Sequence, residues 1–214
     1  MKTAIRTIQG LTLAIGASLA IGAQASYIGI DTTGLSTATT DSSNDYTAEP
    51  GAEIAIGDTA YEGATVEAFE SGPFRLTFTY LFKEAGFTNS FWYAGSELFN
   101  TASSSYGDSV STLFSGAAGP LDFFFRSQGH VSTIDIHNED NDASEVPNFQ
   151  TFWEAGSNSL IVALDDFGAG PDDNHDDMII RITASKVPEP GTMALLGLGL
   201  AAMGVSLRRR QSAS

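Results

Sequence analysis

The residues best suited to chemistry in this sequence are acidic and amide side chains between positions 165 and 177. Asp172, Asn174 and Asp176 occupy alternate positions, the spacing by which a turning loop directs oxygen ligands at a calcium ion. Asp177 adds a further carboxylate. The run lacks the glycine at the sixth loop position and the distant glutamate of an EF-hand, so it is a different kind of loop. It predicts a calcium site, with a solvated acidic hairpin as the alternative.

The same segment resembles the end of a calcium-associated domain of exported bacterial proteins, the DUF4114 type. In such domains an acidic pair precedes a glycine-rich loop and an Asp-x-Asp-x-Asn/Asp-Asp run. Asn174 stands where aspartate is usual, which weakens the site by one charge. The resemblance implies that calcium is held by one set of side chains: Asp165, Asp166, Asp172, Asn174, Asp176 and Asp177.

The other polar residues form weaker candidates. Residues 138–142 make a second acidic turn that could supply ligands, although the sequence favours an ordinary solvated loop. The three histidines, at positions 130, 137 and 175, have no zinc-ligand spacing, and nucleophile-elbow, phosphate-loop and dinucleotide motifs are absent. Because Glu84, Glu97 and Glu154 lie near aromatic residues, a glycosidase carboxylate pair is the alternative. The sequence favours a non-catalytic protein.

The charge of the central region limits its partners. Residues 26–186 contain 25 acidic and five basic side chains, which gives a net charge of −20. Such a body repels phosphate backbones, so nucleic acid binding is not expected. Cysteine is absent, so stability must come from packing or from bound ions.

Period-two alternation indicates the strands that would position these residues. In residues 73–82, Phe74, Leu76, Phe78, Tyr80 and Phe82 fall on one predicted face. Shorter runs with strand character occur at 53–56, 64–69, 121–126 and 131–136, and two buried-type strands at 159–164 and 178–183 flank the acidic segment. We expect an all-β domain over residues 51–186, an antiparallel β-sandwich with a jelly roll as one version. Residues 26–50 are expected to be a polar leader or long loop.

Two aromatic groups have two interpretations. Phe91, Trp92 and Tyr93, and likewise Phe152 and Trp153, could offer ring faces to sugars. The alternative, which aromatic residues in strands favour, is core packing.

The amino-terminal region has the features of a signal peptide. Lys2 and Arg6 precede an uncharged stretch at 7–22, and Ala23 and Ala25 are the small residues that a signal peptidase accepts. We predict that residues 1–25 are removed by signal peptidase and that the mature chain begins at Ser26.

The carboxy-terminal region has three parts in order. Pro188, Glu189 and Pro190 interrupt regular structure, an uncharged stretch extends to residue 207, and three arginines follow at positions 208, 209 and 210. Residues 190–207 could form a single transmembrane helix across a thin membrane, with the arginines kept in the cytoplasm. A plain membrane anchor would have a similar apolar stretch.

This order of parts, over residues 187–214, resembles the PEP-CTERM family of exported proteins of Gram-negative bacteria. The sorting motif comprises Pro188, Glu189, Pro190, Arg208, Arg209 and Arg210. The resemblance implies processing by exosortase after transient anchoring in the inner membrane, followed by delivery to the cell surface or to the exopolysaccharide matrix of a biofilm. We therefore expect a calcium-stabilised binding or structural module associated with exopolysaccharide.

Overall fold

The computed structural model describes residues 26–129, 132–145, 147–153, 158–166, 174–187, 197–198 and 200. These residues form fourteen strands and two short 3-10 helices, at Asp45–Ala48 and Asn138–Asp140. The strands are β1 (Ile28–Ile30), β2 (Ser36–Thr39), β3 (Thr59–Glu62), β4 (Val66–Ala68), β5 (Phe74–Phe82), β6 (Thr88–Tyr93), β7 (Ser96–Asn100), β8 (Ser109–Phe114), β9 (Gly119–Pro120), β10 (Phe123–Gln128), β11 (Ile134–His137), β12 (Asn148–Trp153), β13 (Ser159–Asp165) and β14 (Met178–Lys186).

The strands pair into three antiparallel sheets, which confirms the predicted all-β antiparallel class. A seven-stranded sheet has the order β2-β3-β12-β13-β14-β5-β8, a four-stranded sheet the order β11-β10-β6-β7, and a three-stranded sheet the order β1-β4-β9. Side chains from all three sheets meet in one cluster. The packing is therefore β-sandwich-like, with the large sheet opposite the two smaller ones.

Aromatic rings bridge the layers of this core. Phe78 of the large sheet lies 5.6 Å, between ring centroids, from Phe91 of the four-stranded sheet. Phe149 of β12 lies 5.7 Å from Phe123 and 5.6 Å from Phe125, both on β10. These contacts, in the range preferred by aromatic pairs, join the large sheet to the four-stranded sheet.

A second, smaller core covers the opposite face of the large sheet. Tyr46 and Ile54 from the segment 40–58 are buried there against Ile161 of β13 and Ile179 of β14. Because both of its faces are covered, β13 is buried at all seven positions. This explains the unbroken apolar run that the sequence shows there.

The structure corrects the prediction for residues 26–50. Instead of a loose leader or loop, they supply β1, β2 and the first 3-10 helix. The physical reason is that Ile28 and Tyr46, surrounded by polar residues in the sequence, are each buried in one of the two cores.

Two strand predictions also need correction. Residues 53–56 are not a strand, because Asp58 accepts a hydrogen bond from Ala55 N through its carboxylate and closes a turn. In β5 the alternation fails after Tyr80, where a bulge leaves Leu81 between the pairs Tyr80–Ile180 and Phe82–Ile179. Phe82 therefore packs against the smaller core instead of sharing a face with Phe78.

The predicted signal peptide (1–25), the sorting-motif residues and most of the predicted transmembrane segment (190–207) lie outside the described residues. Within the described part of the chain, no helix has the length and apolar character needed to cross a membrane.

Candidate metal site at the acidic hairpin

The acidic hairpin, residues 165–177, connects β13 to β14. These strands are antiparallel neighbours, with Leu164 opposite Met178, and Asp177 N donates to Leu164 O over 3.0 Å. The two ends of the hairpin, Asp165–Asp166 and Asp176–Asp177, therefore lie together at one end of the large sheet. Asp172 lies outside the described residues.

Hydrogen bonds connect the hairpin to β6. Asp177 Oδ2 accepts from Asp166 N over 2.7 Å. Asp166 Oδ2 accepts from Asn89 Nδ2, also over 2.7 Å. Asp166 and Asn89 are both buried, so this connection between the sheets is shielded from water.

The hairpin also holds the segment 43–45, which we call the strap. Asp176 Oδ2 accepts from Asp45 N over 2.6 Å. Asn44 Nδ2 donates to Asn174 O over 2.9 Å, and Asn174 Nδ2 donates to Ser43 O over 3.2 Å. The strap and the hairpin are therefore joined by three side chains.

His175 has a structural role in this turn. Its φ of 52° is in the left-handed region, which few non-glycine residues adopt. Nε2 of His175 lies 2.8 Å from Oδ1 of Asn148, and the imidazole is buried. This contact ties the hairpin to the start of β12.

Three buried oxygens next to the hairpin accept no hydrogen bond from any described residue. They are Oδ1 of Asn44, Oδ1 of Asn89 and Oδ1 of Asp176. The three residues are 3%, 0% and 0% exposed, respectively. In each of these residues, the other terminal side-chain atom forms a hydrogen bond between the hairpin and its surroundings. The unmatched oxygen is therefore attached to the same carbon as an atom that makes such a bond. Leaving such oxygens unmatched is unfavourable, so each of them requires a hydrogen-bond donor or a cation.

The local electrostatics also favour a positive ligand. Burial, and then the negative charges of Glu84 and Asp45, raise the pKa of Asp176 to about 7 against the opposing effect of the Asp45 N–H. Burial likewise raises the pKa of Asp177 to about 7, with contributions from the nearby Asp166, Asp165 and Asp176 carboxylates. The cluster therefore disfavours its own negative charge unless a proton or a metal ion binds.

The structure brings together only part of the predicted ligand set. Asp165, Asp166, Asp176 and Asp177 gather at the strand ends, whereas the Asn174 amide bonds the strap. Among the described His, Asp and Glu side chains, no group of three is placed to hold one ion. Amide oxygens would therefore have to complete a site, and sequence reasoning missed both Asn44 and Asn89. For Asn89 a signal existed, because asparagine is uncommon in strands.

The remaining candidates are exposed, lie outside the described residues or hold local structure. Glu84 and Glu97 are exposed, and Glu154, like His130, lies outside the described residues. In the second acidic turn, Asn138 and Asn141 bond neighbouring backbone and Asp142 bonds Ser144, so these three side chains hold local structure.

The aromatic groups are split between core and surface. Phe91 and Phe152 are buried, and Tyr93 packs 4.7 Å from Phe78. Trp153 packs against the main core and is half-buried. Trp92 is also half-buried, but it pairs with Phe124 on the outer face of the four-stranded sheet. Core packing thus accounts for most of these rings.

Comparison with known proteins identifies the tail. No curated protein and no solved structure matches the chain. Residues 186–210 match the family model described as the PEP-CTERM protein-sorting motif. This confirms the resemblance drawn from the prolines and the arginine cluster. The chain therefore carries a PEP-CTERM sorting motif, which marks it as an exported, membrane-anchored precursor that exosortase processes for the cell surface.

Proposed function

We propose that this protein is a non-catalytic surface component of a Gram-negative bacterium whose β-sandwich domain binds calcium at the acidic hairpin. The observation that carries the proposal is the set of three buried oxygens, on Asn44, Asn89 and Asp176, that accept no hydrogen bond within the described part of the chain. They lie beside the Asp176 and Asp177 carboxylates, whose pKa values are raised. A cation that prefers oxygen ligands would bind the unmatched oxygens and neutralise the carboxylates.

Calcium suits these residues better than magnesium or zinc. Calcium accepts irregular shells of carboxylate and amide oxygens, whereas magnesium demands a near-ideal octahedron and zinc prefers nitrogen and sulfur. Asp176 and Asp177 would supply charge, and Asn44 and Asn89 would supply neutral oxygens. The ion would neutralise the hairpin and hold the strap against it.

Isothermal titration calorimetry of the chelator-stripped full chain in mild detergent tests this proposal directly. We expect calcium to bind more tightly than magnesium, and Asn89→Ala and Asp176→Asn to weaken binding about tenfold or more. Asp140→Asn is the matched control, because this exposed carboxylate lies in the second 3-10 helix and should leave binding unchanged. A wild-type chain that shows neither heat nor a shift in melting temperature with calcium would refute the site.

The delivery route has its own test. Mass spectrometry of the extracellular protein should find it beginning at Ser26 and lacking the arginine cluster. Replacing Pro188 and Pro190 by alanine should leave export intact and trap the precursor in the inner membrane. An intact carboxy terminus outside the cell would contradict exosortase processing.

An outer aromatic surface supports exopolysaccharide as the partner. Trp92 and Phe124 stack at 5.6 Å with an interplanar angle of 11°. Cζ of Arg126 lies 4.9 Å from the Trp92 ring centroid, and Arg126 donates two hydrogen bonds to the Asp135 carboxylate. Aromatic rings flanked by a guanidinium and a carboxylate match the apolar faces and hydroxyl groups of sugar rings. This surface would hold the exported domain in the matrix.

A further inference from the structure

The strand β8 forms one edge of the seven-stranded sheet. Its only described strand partner is β5, with Tyr80 N donating to Asp108 O just before the strand begins. Because antiparallel pairs alternate between bonded and non-bonded positions, Val110, Thr112 and Phe114 face β5 with their backbone groups. The backbone N–H and C=O groups of Ser109, Ser111 and Leu113 therefore point away from the sheet, and no described residue bonds them.

The other described edge strands have features that block the addition of a further strand: charged residues, an irregular register, short length or proline. The edge strand β7 contains Glu97 and pairs through a register shift, and β11 contains Asp135. The edges β1, β2 and β9 have four residues or fewer, and β9 contains Pro120. By contrast, β8 has six residues without charge, proline or glycine, and Leu113 is 57% exposed. Such an edge is a template for another strand.

The surroundings of β8 also reduce the charge repulsion between copies. A domain with a net charge of −20 repels a second copy over most of its surface. Only five basic residues lie within 26–186. Two of them are close to this edge. Arg75, on the neighbouring strand β5, is opposite Leu113. Lys186 lies one strand further in, opposite Phe74, which in turn pairs with Phe114 of β8. These two cations offset part of that repulsion at this edge.

We propose that two copies of this protein pair antiparallel through β8 and so continue the seven-stranded sheet across a two-fold axis. When the two-fold axis passes through the Ser111 pair, the backbone groups of all three outward-pointing residues form hydrogen bonds with the second copy. It places Ser111 opposite its counterpart and Ser109 opposite Leu113 of the second copy. Each of these pairs exchanges two backbone hydrogen bonds, and the exposed Leu113 is covered.

Sedimentation velocity of the full chain in density-matched detergent tests the pairing. We expect a dimer whose dissociation constant falls as sodium chloride rises from about 0.05 to 0.5 M, because salt screens the net charge while backbone bonds persist. Ser111→Pro removes an N–H that points away from β5, so it should spare the fold and raise the dissociation constant about tenfold or more. Ser111→Ala keeps that N–H and should behave as the wild type.

A second variant separates loss of pairing from loss of fold. Ser111→Lys places two like charges face to face at the axis. It should yield monomers that melt at the temperature of Ser111→Ala diluted below its dissociation constant, since both variants lose the contact between Ser111 Oγ and Thr77 Oγ1. Association that survives both Ser111→Pro and Ser111→Lys would place the contact elsewhere, for instance in the tail, and overturn the proposal. A monomeric wild type in which the amides of Ser109, Ser111 and Leu113 resist hydrogen exchange would also overturn it, since a segment of the same chain would then cover β8.

Discussion

Asp176→Asn should make the calcium-free protein more stable, although it removes a proposed ligand. Asp176 is fully buried, and its pKa is raised from 3.8 to about 7. A carboxyl group whose folded pKa is raised stabilises the fold most when protonated, so stability falls as the pH rises from about 4 through about 7. At 1.36 kcal/mol per pKa unit, the ionised carboxylate costs the calcium-free fold up to about 4 kcal/mol near neutral pH.

Asparagine removes this charge and keeps an oxygen that can accept from Asp45 N. We expect the variant to gain about 2 to 4 kcal/mol in chelator, which raises the melting temperature by about 5 °C or more for a domain of this size. The wild type should gain ~2.7 kcal/mol at calcium one hundred times above the dissociation constant, whereas the variant should gain much less. Calcium should therefore narrow the stability gap between the two proteins, and it should reverse their ranking only at concentrations where the wild-type gain exceeds the variant's lead of about 2 to 4 kcal/mol.

Calorimetric melts in chelator and in calcium, with sodium chloride matching the ionic strength, measure this ranking. Asp140→Asn removes an exposed charge from the same acidic domain and should change neither condition by more than about 0.5 kcal/mol. If Asp176→Asn destabilises the chelated protein, burial of its charge is not the unfavourable element that the structure indicates. If the wild type ignores calcium, the hairpin does not hold the ion.

Three further outcomes are expected. Calcium affinity should increase between about pH 6 and pH 8, because Asp176 and Asp177 must lose protons to hold the ion. Calorimetry in buffers of different ionisation enthalpy should detect the released protons, and an affinity that does not change with pH would contradict this prediction. Asn138→Ala should lower the free energy of unfolding by about 2 to 4 kcal/mol in urea titrations, because the buried Asn138 amide bonds Val66 and Leu121 backbone groups; a loss below about 0.5 kcal/mol would show that water replaces them. Trp92→Ala should abolish saturable binding of the host's polysaccharide in a pull-down and leave the melting temperature nearly unchanged, whereas unchanged binding would remove this surface from the proposal.

The sequence predicts the fold class well because strand periodicity is local. The alternation in β5 and the apolar runs of β13 and β14 identified three central strands of the large sheet. The bulge at Leu81 escaped prediction because it depends on the register with β14, which only the assembled sheet reveals. Residues 26–50 were misjudged for a related reason: their few apolar residues are spread thinly, and their burial depends on partners far along the chain.

The site was predictable only where its residues are neighbours in sequence. The spacing between positions 172 and 177 indicated the hairpin, but Asn89 reaches Asp166 across 77 positions and Asn44 reaches Asn174 across 130. The scarcity of asparagine in strands marks Asn89 as unusual, but no local pattern indicates a partner so far along the chain. The glutamates were candidates because of their residue type and their aromatic neighbours alone, and Glu84 and Glu97 are exposed. His175, which no ligand spacing had singled out, adopts a left-handed backbone in the turn and bonds Asn148.

The position of the hairpin makes its charge important for the stability of the domain after export. It joins two strands at the centre of the large sheet, and Asp165, Asp166 and Asp176 are buried there, so these three carboxylates cannot reach solvent unless β13 and β14 are disturbed. A chain without cysteine has no disulfide to compensate for that cost after export. Calcium sites of extracellular modules are commonly weak, because the ion is abundant outside the cell. A hairpin that is unfavourable without calcium and satisfied with it would therefore stabilise the domain chiefly where the sorting motif delivers it.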